Sequence, residues 1–467
     1  MAYKESSSIT SQTVHYFLRF LPMTLGYLLG SYFSGRWQFR DSLLNNKIFR
    51  ELSLNILSTT QYLPLKVLRQ IQLQNLRLLL QIVEAKNTFW RRHFKDHNFV
   101  VSHFSELDTL LNLPIHDKVF YRTTSIEEYL IKEPSWKWNS HFTSGSSGIP
   151  FPFYIDSTSA FWRYLLVLRG NQWAGFRKGD VFIRGIREIE RDATHHFAQG
   201  RTIFLPGTPE TLKSILKSLN LNPNNGIVFY GFIEYFRRLT FDCFYNQIKV
   251  KGIVATGEPL KEGERNKMES FFRAPIYAGY STREFGRVGQ ECEYKDGFHI
   301  NLERFFIEIV DGQGNQLKET DRGRIIITDT KNFVMPFLRF ELGDLGYLSY
   351  APCPCGRTLP RLYLEGRTTD RVVLRERELP AVTLITEVNR VSQNILRYQI
   401  IQYSPEHFTI IIEPLPGFSQ ADSKNIENGF QRVLGNNIKI TINADGNGFI
   451  IKRGKQQAFI SLIKKKE

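Results

Sequence analysis

The chain has 467 residues, which at about 150 residues per domain gives two or three units and a large buried core. Hydrophobic residues at 42% and charged residues at 23% exclude a disordered or fibrous polymer, while four cysteines and no secretory pattern at the start exclude a disulfide scaffold and predict a reducing, cytoplasmic setting. The formal charge of +15 attracts nucleic acid, anionic membranes or phosphate-rich small molecules; its basic residues are scattered apart from Lys464-Lys465-Lys466, so nucleic acid is disfavoured and a solvated basic surface is the plain alternative.

Residues 16–33 are about as long as a membrane span, but Arg19 and Pro22 interrupt them. A core or interfacial helix pair is expected there, with peripheral membrane contact as the alternative. Over residues 53–97 apolar side chains recur at helical spacing, as in Leu68, Ile71, Leu76, Leu79 and Ile82. Between 136 and 154, small and hydroxyl-bearing residues lead into alternating Phe151 and Phe153, the pattern of strand, loop and strand. From 248 to 328, short apolar strands at 252–255, 276–278, 306–310 and 324–328 surround a polar helix at 261–272, an alternation that predicts α/β layers. The run Val310-Asp311-Gly312-Gln313-Gly314-Asn315 reads as a turn, since no helix follows it. Beyond 365 a smaller α+β unit is expected, with strands at 398–403, 408–412 and 438–442 and a helix at 421–434. The expected fold class is therefore α/β, with a large N-terminal domain over 1–365, helical at its start, and a small mobile C-terminal α+β domain over 366–467.

The loop Thr143-Ser144-Gly145-Ser146-Ser147-Gly148-Ile149-Pro150 has two glycines that let the backbone curl and four hydroxyls that can surround phosphate oxygens. No Lys-Ser or Lys-Thr follows the second glycine, so it is not the P-loop of kinases, and taken alone such a stretch is more often a plain flexible loop. Further along come Thr256-Gly257-Glu258-Pro259-Leu260, Gly279-Tyr280-Ser281-Thr282-Arg283-Glu284-Phe285-Gly286, Arg339-Phe340-Glu341-Leu342-Gly343-Asp344, Gly366-Arg367-Thr368-Thr369-Asp370 and Gly454-Lys455. In this order the segments resemble the signature of the adenylate-forming superfamily of acyl- and aryl-coenzyme A ligases. Arg283 before Glu284, Glu291-Cys292 and Gly297-Phe298-His299 resemble the phenylacetate-coenzyme A ligase branch and its relatives in capsular polysaccharide synthesis. The likeness covers about residues 100–460.

The resemblance implies activation of a carboxylic acid by ATP to an acyl-adenylate, with release of pyrophosphate and then acyl transfer to coenzyme A, a carrier-protein thiol or an amine. It implies phosphate contacts from Thr143, Ser144, Gly145, Ser146, Ser147 and Gly148. Nucleotide contacts would come from Gly257, Glu258, Pro259, Tyr280, Ser281, Asp344 and Arg367, a magnesium ligand from Glu284, and an assisting cation from Lys455. Each role has a physical reason. Tyr280 offers a flat face to a purine and Glu284 a hard oxygen to Mg²⁺. Asp344 can accept bonds from two vicinal ribose hydroxyls. Lys455 can offset the charge that builds when a carboxylate attacks a phosphate. Taken singly, a buried Tyr, a Gly-Asp turn and a C-terminal Lys are usually structural or solvated.

Three places depart from the family pattern. Phe151 stands where a lysine commonly follows the loop proline, Thr369 and then Asp370 stand at the hinge, and residues 374–380 replace a glycine-containing turn beside the thioester tunnel. The last departure keeps the acceptor open. An adenylyltransferase acting on a non-carboxylate acceptor and a non-catalytic nucleotide-binding relative are the rival readings.

Cys292, His299, Cys353 and Cys355 supply three thiolates and an imidazole, a set suited to tetrahedral zinc, although their spacing alone leaves buried free cysteines as the commoner reading. The branch resemblance favours a closed, structural Zn²⁺ near the nucleotide. Cys243 reads as core, His141 as either an acyl-site or a packing residue, and His195 and His196 carry no assigned role. Residues 229–236 and the stretch before Tyr280 are expected to line an apolar acyl pocket.

Overall fold

The computed structural model describes residues 47–133, 136–143, 151–177, 179–186, 201–206, 226–233, 235–236, 249–258, 260–367, 370–391, 394–452 and 455–463. The segment 16–33, the loop residues 144–150, Pro259, Thr368, Thr369, Gly454, His195, His196 and Cys243 lie outside them.

Among the described residues the helical start holds α1 (Lys47–Thr60), α2 (Leu65–Lys86) and α3 (Thr88–Asp96). The apolar stripe read from the spacing is the buried one, with Leu68, Ile71, Leu76, Leu79 and Ile82 all in the core. The Asn87 side chain accepts from Trp90 N and starts α3, and the Trp90 indole donates to Tyr129 O. Short helices α4 (Lys118–Thr123) and α5 (Ile126–Tyr129) follow, the first capped by Asp117. The expected strand, loop and strand is an antiparallel pair, β1 (Trp138–Phe142) and β2 (Pro152–Asp156). The Asp156 carboxylate then caps α6 (Ser157–Trp173) at Ser159 N and also accepts from Phe333 N, which ties this hairpin to the large sheet.

That sheet takes β3 (Val181–Ile186), β4 (Arg201–Pro206), β5 (Ile227–Phe232) and β6 (Val250–Thr256), then, after α7 (Glu262–Phe272), β7 (Ile276–Thr282), β8 (Gly286–Gln290) and β9 (Phe298–Ile300). The strands β10 (Phe305–Val310), β11 (Gly323–Asp329), β12 (Phe340–Ser349) and β13 (Arg361–Arg367) complete it, in the spatial order 10-11-12-13-9-8-7-6-5-3-4. Pairing is parallel from β4 to β7 and antiparallel beyond it. The reversal falls on the β7–β8 hairpin, which carries Tyr280 and Glu284. Ile183, Phe229, Ile253 and Ile276 meet Met268 and Phe272 of α7 on one face, while Phe182, Val228, Val254 and Tyr277 meet Ala174 and Phe176, just past α6, on the other. Each such side chain contributes about 1.5–3 kcal/mol by leaving water. Three ion pairs with side chains at most 4% exposed cross this region: Arg169 with Glu303, Arg304 with Asp329 and Arg339 with Glu308. Removing one partner of such a pair strands a buried charge and costs about 3–5 kcal/mol.

The C-terminal part has a core of its own. A hairpin of β14 (Arg371–Val373) and β15 (Glu378–Pro380) precedes α8 (Val382–Asn389), so the stretch 374–380 that departs from the family pattern holds the turn and second strand of this hairpin. The strands β16 (Ile395–Ser404) and β17 (His407–Pro414), helix α9 (Gln420–Leu434) and β18 (Lys439–Asn443) fall where the periodicity put them. Two short strands, β19 (Ile451–Lys452) and β20 (Lys455–Gln456), pair with each other before β21 (Phe459–Ser461) joins β16. Tyr398, Ile400, Phe408, Ile410 and Ile412 close against Ile426 and Phe430. Among the described residues no helix is long and apolar enough to cross a membrane.

Candidate active site

Three of the predicted nucleotide residues meet at the antiparallel side of the sheet. The Tyr280 hydroxyl donates to Asp344 Oδ2 at 2.7 Å, and Arg367 Nε lies 3.3 Å from Asp344 Oδ1. Asp344 and Arg367 are register partners across β12 and β13, so sheet pairing fixes their meeting. Burial, and then the neighbouring Asp344 carboxylate, push the Tyr280 phenol well above its ordinary range, so it remains a donor at neutral pH. Gly257 stands in the left-handed region at φ +96°, and Thr256 Oγ1 donates to Gly279 O at 3.0 Å, which ties the Thr256–Glu258 turn to β7.

Glu284 lies in the turn from β7 to β8, and its side chain is only 5% exposed. Its carboxylate faces Lys118 Nζ at 2.8 Å. The main chain of this turn is clamped by Arg163 of α6, which donates to Arg283 O at 2.9 Å and to Glu284 O. Gly286 makes the clamp possible: it sits at φ +73°, and a Cβ there would stand 3.0 Å from Arg163 Cγ.

Thr143 and Phe151, which flank the loop expected to hold phosphates, are joined by two bonds, Thr143 N to Phe151 O at 2.9 Å and Phe151 N to Thr143 Oγ1 at 3.1 Å. Lys118 Nζ is 5.9 Å from the centre of the Phe151 ring. The ammonium therefore stands between the loop neck and Glu284, beside the position where the family pattern has its own lysine. Sequence reasoning missed Lys118 and Arg163. The absent lysine after Pro150 was the one signal that a cation was wanted, and nothing in the local pattern at residue 118 announces it. His141 stacks on Phe153 with ring centres 5.4 Å apart. Lys455 lies on β20 opposite Lys452.

The metal-type residues converge. Ligand atoms of Cys292, His299, Cys353 and Cys355 all lie within 4.8 Å of one another, with Cys292 Sγ 3.7 Å from Cys353 Sγ and Cys355 Sγ 3.4 Å from His299 Nε2. His299 Nδ1 is 2.8 Å from the Leu359 carbonyl, so it carries the proton and leaves the Nε2 lone pair aimed at the sulfurs. Burial pushes the Cys292 thiol up to about 12 and the His299 imidazole down to about 4. Three soft sulfurs and a neutral imidazole turned inward are a donor set that fits a tetrahedral divalent cation.

Of the apolar wall expected from 229–236, the structure withdraws Phe229 and Phe236. Phe229 and Phe236 are fully buried against Phe272 on the α7 face, because strand alternation turns them into the core. Tyr230, stacked on Phe182, and Phe232, which stands against Gly257, alternate to the opposite face and are half-buried.

No family model matches the chain. It is 24% identical over 371 residues to the phenylacetate-coenzyme A ligase of Thermus thermophilus, covering 73% of this chain and 79% of that protein. Among solved structures it resembles a 2-hydroxyisobutyryl-CoA ligase in its postadenylation state with 2-HIB-AMP, at a TM-score of 0.68 and 20% identity over 86% of this chain and 90% of that one. The same ligase with 2-HIB-AMP and CoA in the thioesterification state gives a TM-score of 0.57 at 20% identity, covering 86% and 91%.

Proposed function

We propose that this chain, a member of the adenylate-forming superfamily by sequence and fold, activates a carboxylic acid with ATP to an acyl-adenylate and then passes the acyl group to coenzyme A. The observation that carries the reading is the meeting of Tyr280, near the carboxyl end of β7 where parallel pairing stops, with Asp344 of β12 and Arg367 of β13.

In this reading the vicinal ribose hydroxyls donate to the Asp344 carboxylate, which must first release part of its bond to Tyr280 or Arg367. The hydroxyls and N–H groups of residues 143–148 hold the phosphates. Glu284 holds Mg²⁺, which when bound neutralises phosphate charge, and Lys118 adds a fixed positive charge beside it. Arg163 keeps the Glu284 main chain in place. Lys455, carried by the C-terminal part, approaches the carboxylate and the α-phosphate when the small domain closes across a division near residue 366. Cys292, His299, Cys353 and Cys355 hold a structural Zn²⁺ that ties β8 and β9 to the connection before β13. The Arg375–Arg377 turn, in place of a flexible glycine turn, leaves a carrier-protein thiol or an amine as the alternative acceptor.

Pyrophosphate exchange across a panel of carboxylic acids tests the first half-reaction. Hydroxylamine trapping of the adenylate, set beside thioester formation on added coenzyme A, tests the second. Exchange with no acid would remove the reading, and adenylate formation without thioester would replace the acceptor.

A further inference from the structure

The parallel strands turn unlike faces to their two helices. Toward α7 the face stays apolar to its end. Toward α6 it begins apolar at Phe182, Val228 and Val254, and becomes polar at the carboxyl ends of the strands, where Arg184, Tyr230, Ser281 and Arg287 gather. The Tyr230 ring is close to two cations, 5.6 Å from the Arg184 guanidinium and 5.2 Å from that of Arg287.

Arg287 is 2% exposed. Its Nε donates to Ser281 Oγ at 3.0 Å and its Nη1 donates to Gln290 Oε1, while Nη2 has no partner among the described residues. Other buried arginines of the fold are treated differently: Arg169, Arg265, Arg304 and Arg339 each face a carboxylate. Room for the guanidinium is made by two glycines, since a Cβ at Gly279 would stand 3.1 Å from its central carbon and one at Gly170 2.9 Å from Nη1. A buried cation with no counter-charge among the described residues is strongly unfavourable unless a ligand brings one.

We infer that the ligand bringing it is the acid itself, and that the substrate class is a small dicarboxylic acid. One carboxylate reacts on the nucleotide side of Ser281, and the far one pairs with Arg287 Nη2 beside Tyr230. This rests on the acyl-adenylation reading above and replaces the apolar acyl group expected from the sequence. Arg287 is then a specificity-determining residue, and charge-assisted pairing with its Nη2 favours the second carboxylate by about 10- to 100-fold.

The test is pyrophosphate exchange by the full chain on matched pairs: succinate against butyrate, glutarate against pentanoate, terephthalate against benzoate. For at least one pair the dicarboxylate should give a kcat/KM about tenfold or more above its monocarboxylate. That ratio should fall toward one in Arg287→Met and be partly kept in Arg287→Lys. Wild-type protein that uses the monocarboxylates as well or better overturns the inference while leaving acyl adenylation standing. A preference that survives in Arg287→Met, or a variant that loses both members of each pair by the same factor, overturns the role of Arg287. Should the variants fail to fold, the wild-type ratios decide alone. Exchange with no acid removes the underlying reading and this inference with it.

Discussion

The cysteine and histidine cluster and the Tyr280, Asp344 and Arg367 group are built from neighbouring parts of the same strands, β7 to β9 and β12 to β13, yet they satisfy their polar atoms in opposite ways. In the cluster, three sulfurs and an imidazole nitrogen are turned toward one another with only weak donors between them, so the arrangement is complete once a cation sits among them. In the proposed nucleotide group, a carboxylate, a phenol and a guanidinium already satisfy one another. Glu284 Oε1 faces Lys118 Nζ at ion-pair distance but makes no hydrogen bond among the described residues. A permanent ligand and a transient one ask for these different solutions: the first fills a gap, whereas the second must displace internal partners and be released again. Changes in the nucleotide group should therefore alter rates with the fold intact, and changes in the cluster should alter stability first.

The largest effect should come from Lys455→Ala, which should lower pyrophosphate exchange by about 10²–10³-fold while ATP binding, followed by nucleotide fluorescence, stays close to wild type. Exchange at the wild-type rate would remove Lys455 from the chemistry. Lys118→Met comes next: kcat/KM for MgATP should fall about 10- to 100-fold, because the Glu284 carboxylate loses its charged partner. Titration of Mg²⁺ should show a changed half-saturation, and an unaltered magnesium profile would reduce Lys118 to a packing residue. Cys353→Ser should act on the other side of the comparison, weakening zinc by at least about tenfold and lowering the thermal midpoint. Protein purified without chelators and found to hold no stoichiometric zinc would break the contrast between the two sites.

The smallest effect is a pH dependence in the helical start. His93 Nε2 lies 2.9 Å from His116 Nε2, and His116 Nδ1 donates to Leu338 O. Burial holds His93 at about 4 and His116 at about 3, with the positive potential of His97 acting in the same direction on both. The unfolded chain, with imidazoles near the ordinary 6.5, then binds more protons than the folded one, so stability is fully present above pH 6.5 and falls as pH drops through about 4 for His93 and about 3 for His116. His116→Gln should flatten part of that fall, a change of about 2–4 °C per kcal/mol in the thermal midpoint measured across this range.

Much of the architecture could be read from residue spacing. The buried stripe of α2, the β1–β2 hairpin, α7 and each element from β16 to β18 stand where period-3.6 and period-2 patterns put them, because those periods are dictated by local backbone geometry. The roles of Tyr280, Glu284 and Asp344 were suggested by the order of their segments, and the four zinc-type ligands by their chemistry. What spacing could not supply was which residues meet. Phe229 and Phe236 look like pocket lining in the sequence and are core in the fold, whereas Lys118, Arg163 and Arg287 carry no local signal and gain meaning only from Glu284, the β7–β8 turn and the lack of a partner for Nη2 among the described residues. The sequence by itself determined which segments become strands and helices and which chemistry the chain holds in stock. Only the tertiary structure decided which charges are paired and which await a partner, since a buried charge is priced by neighbours that come from distant points of the chain.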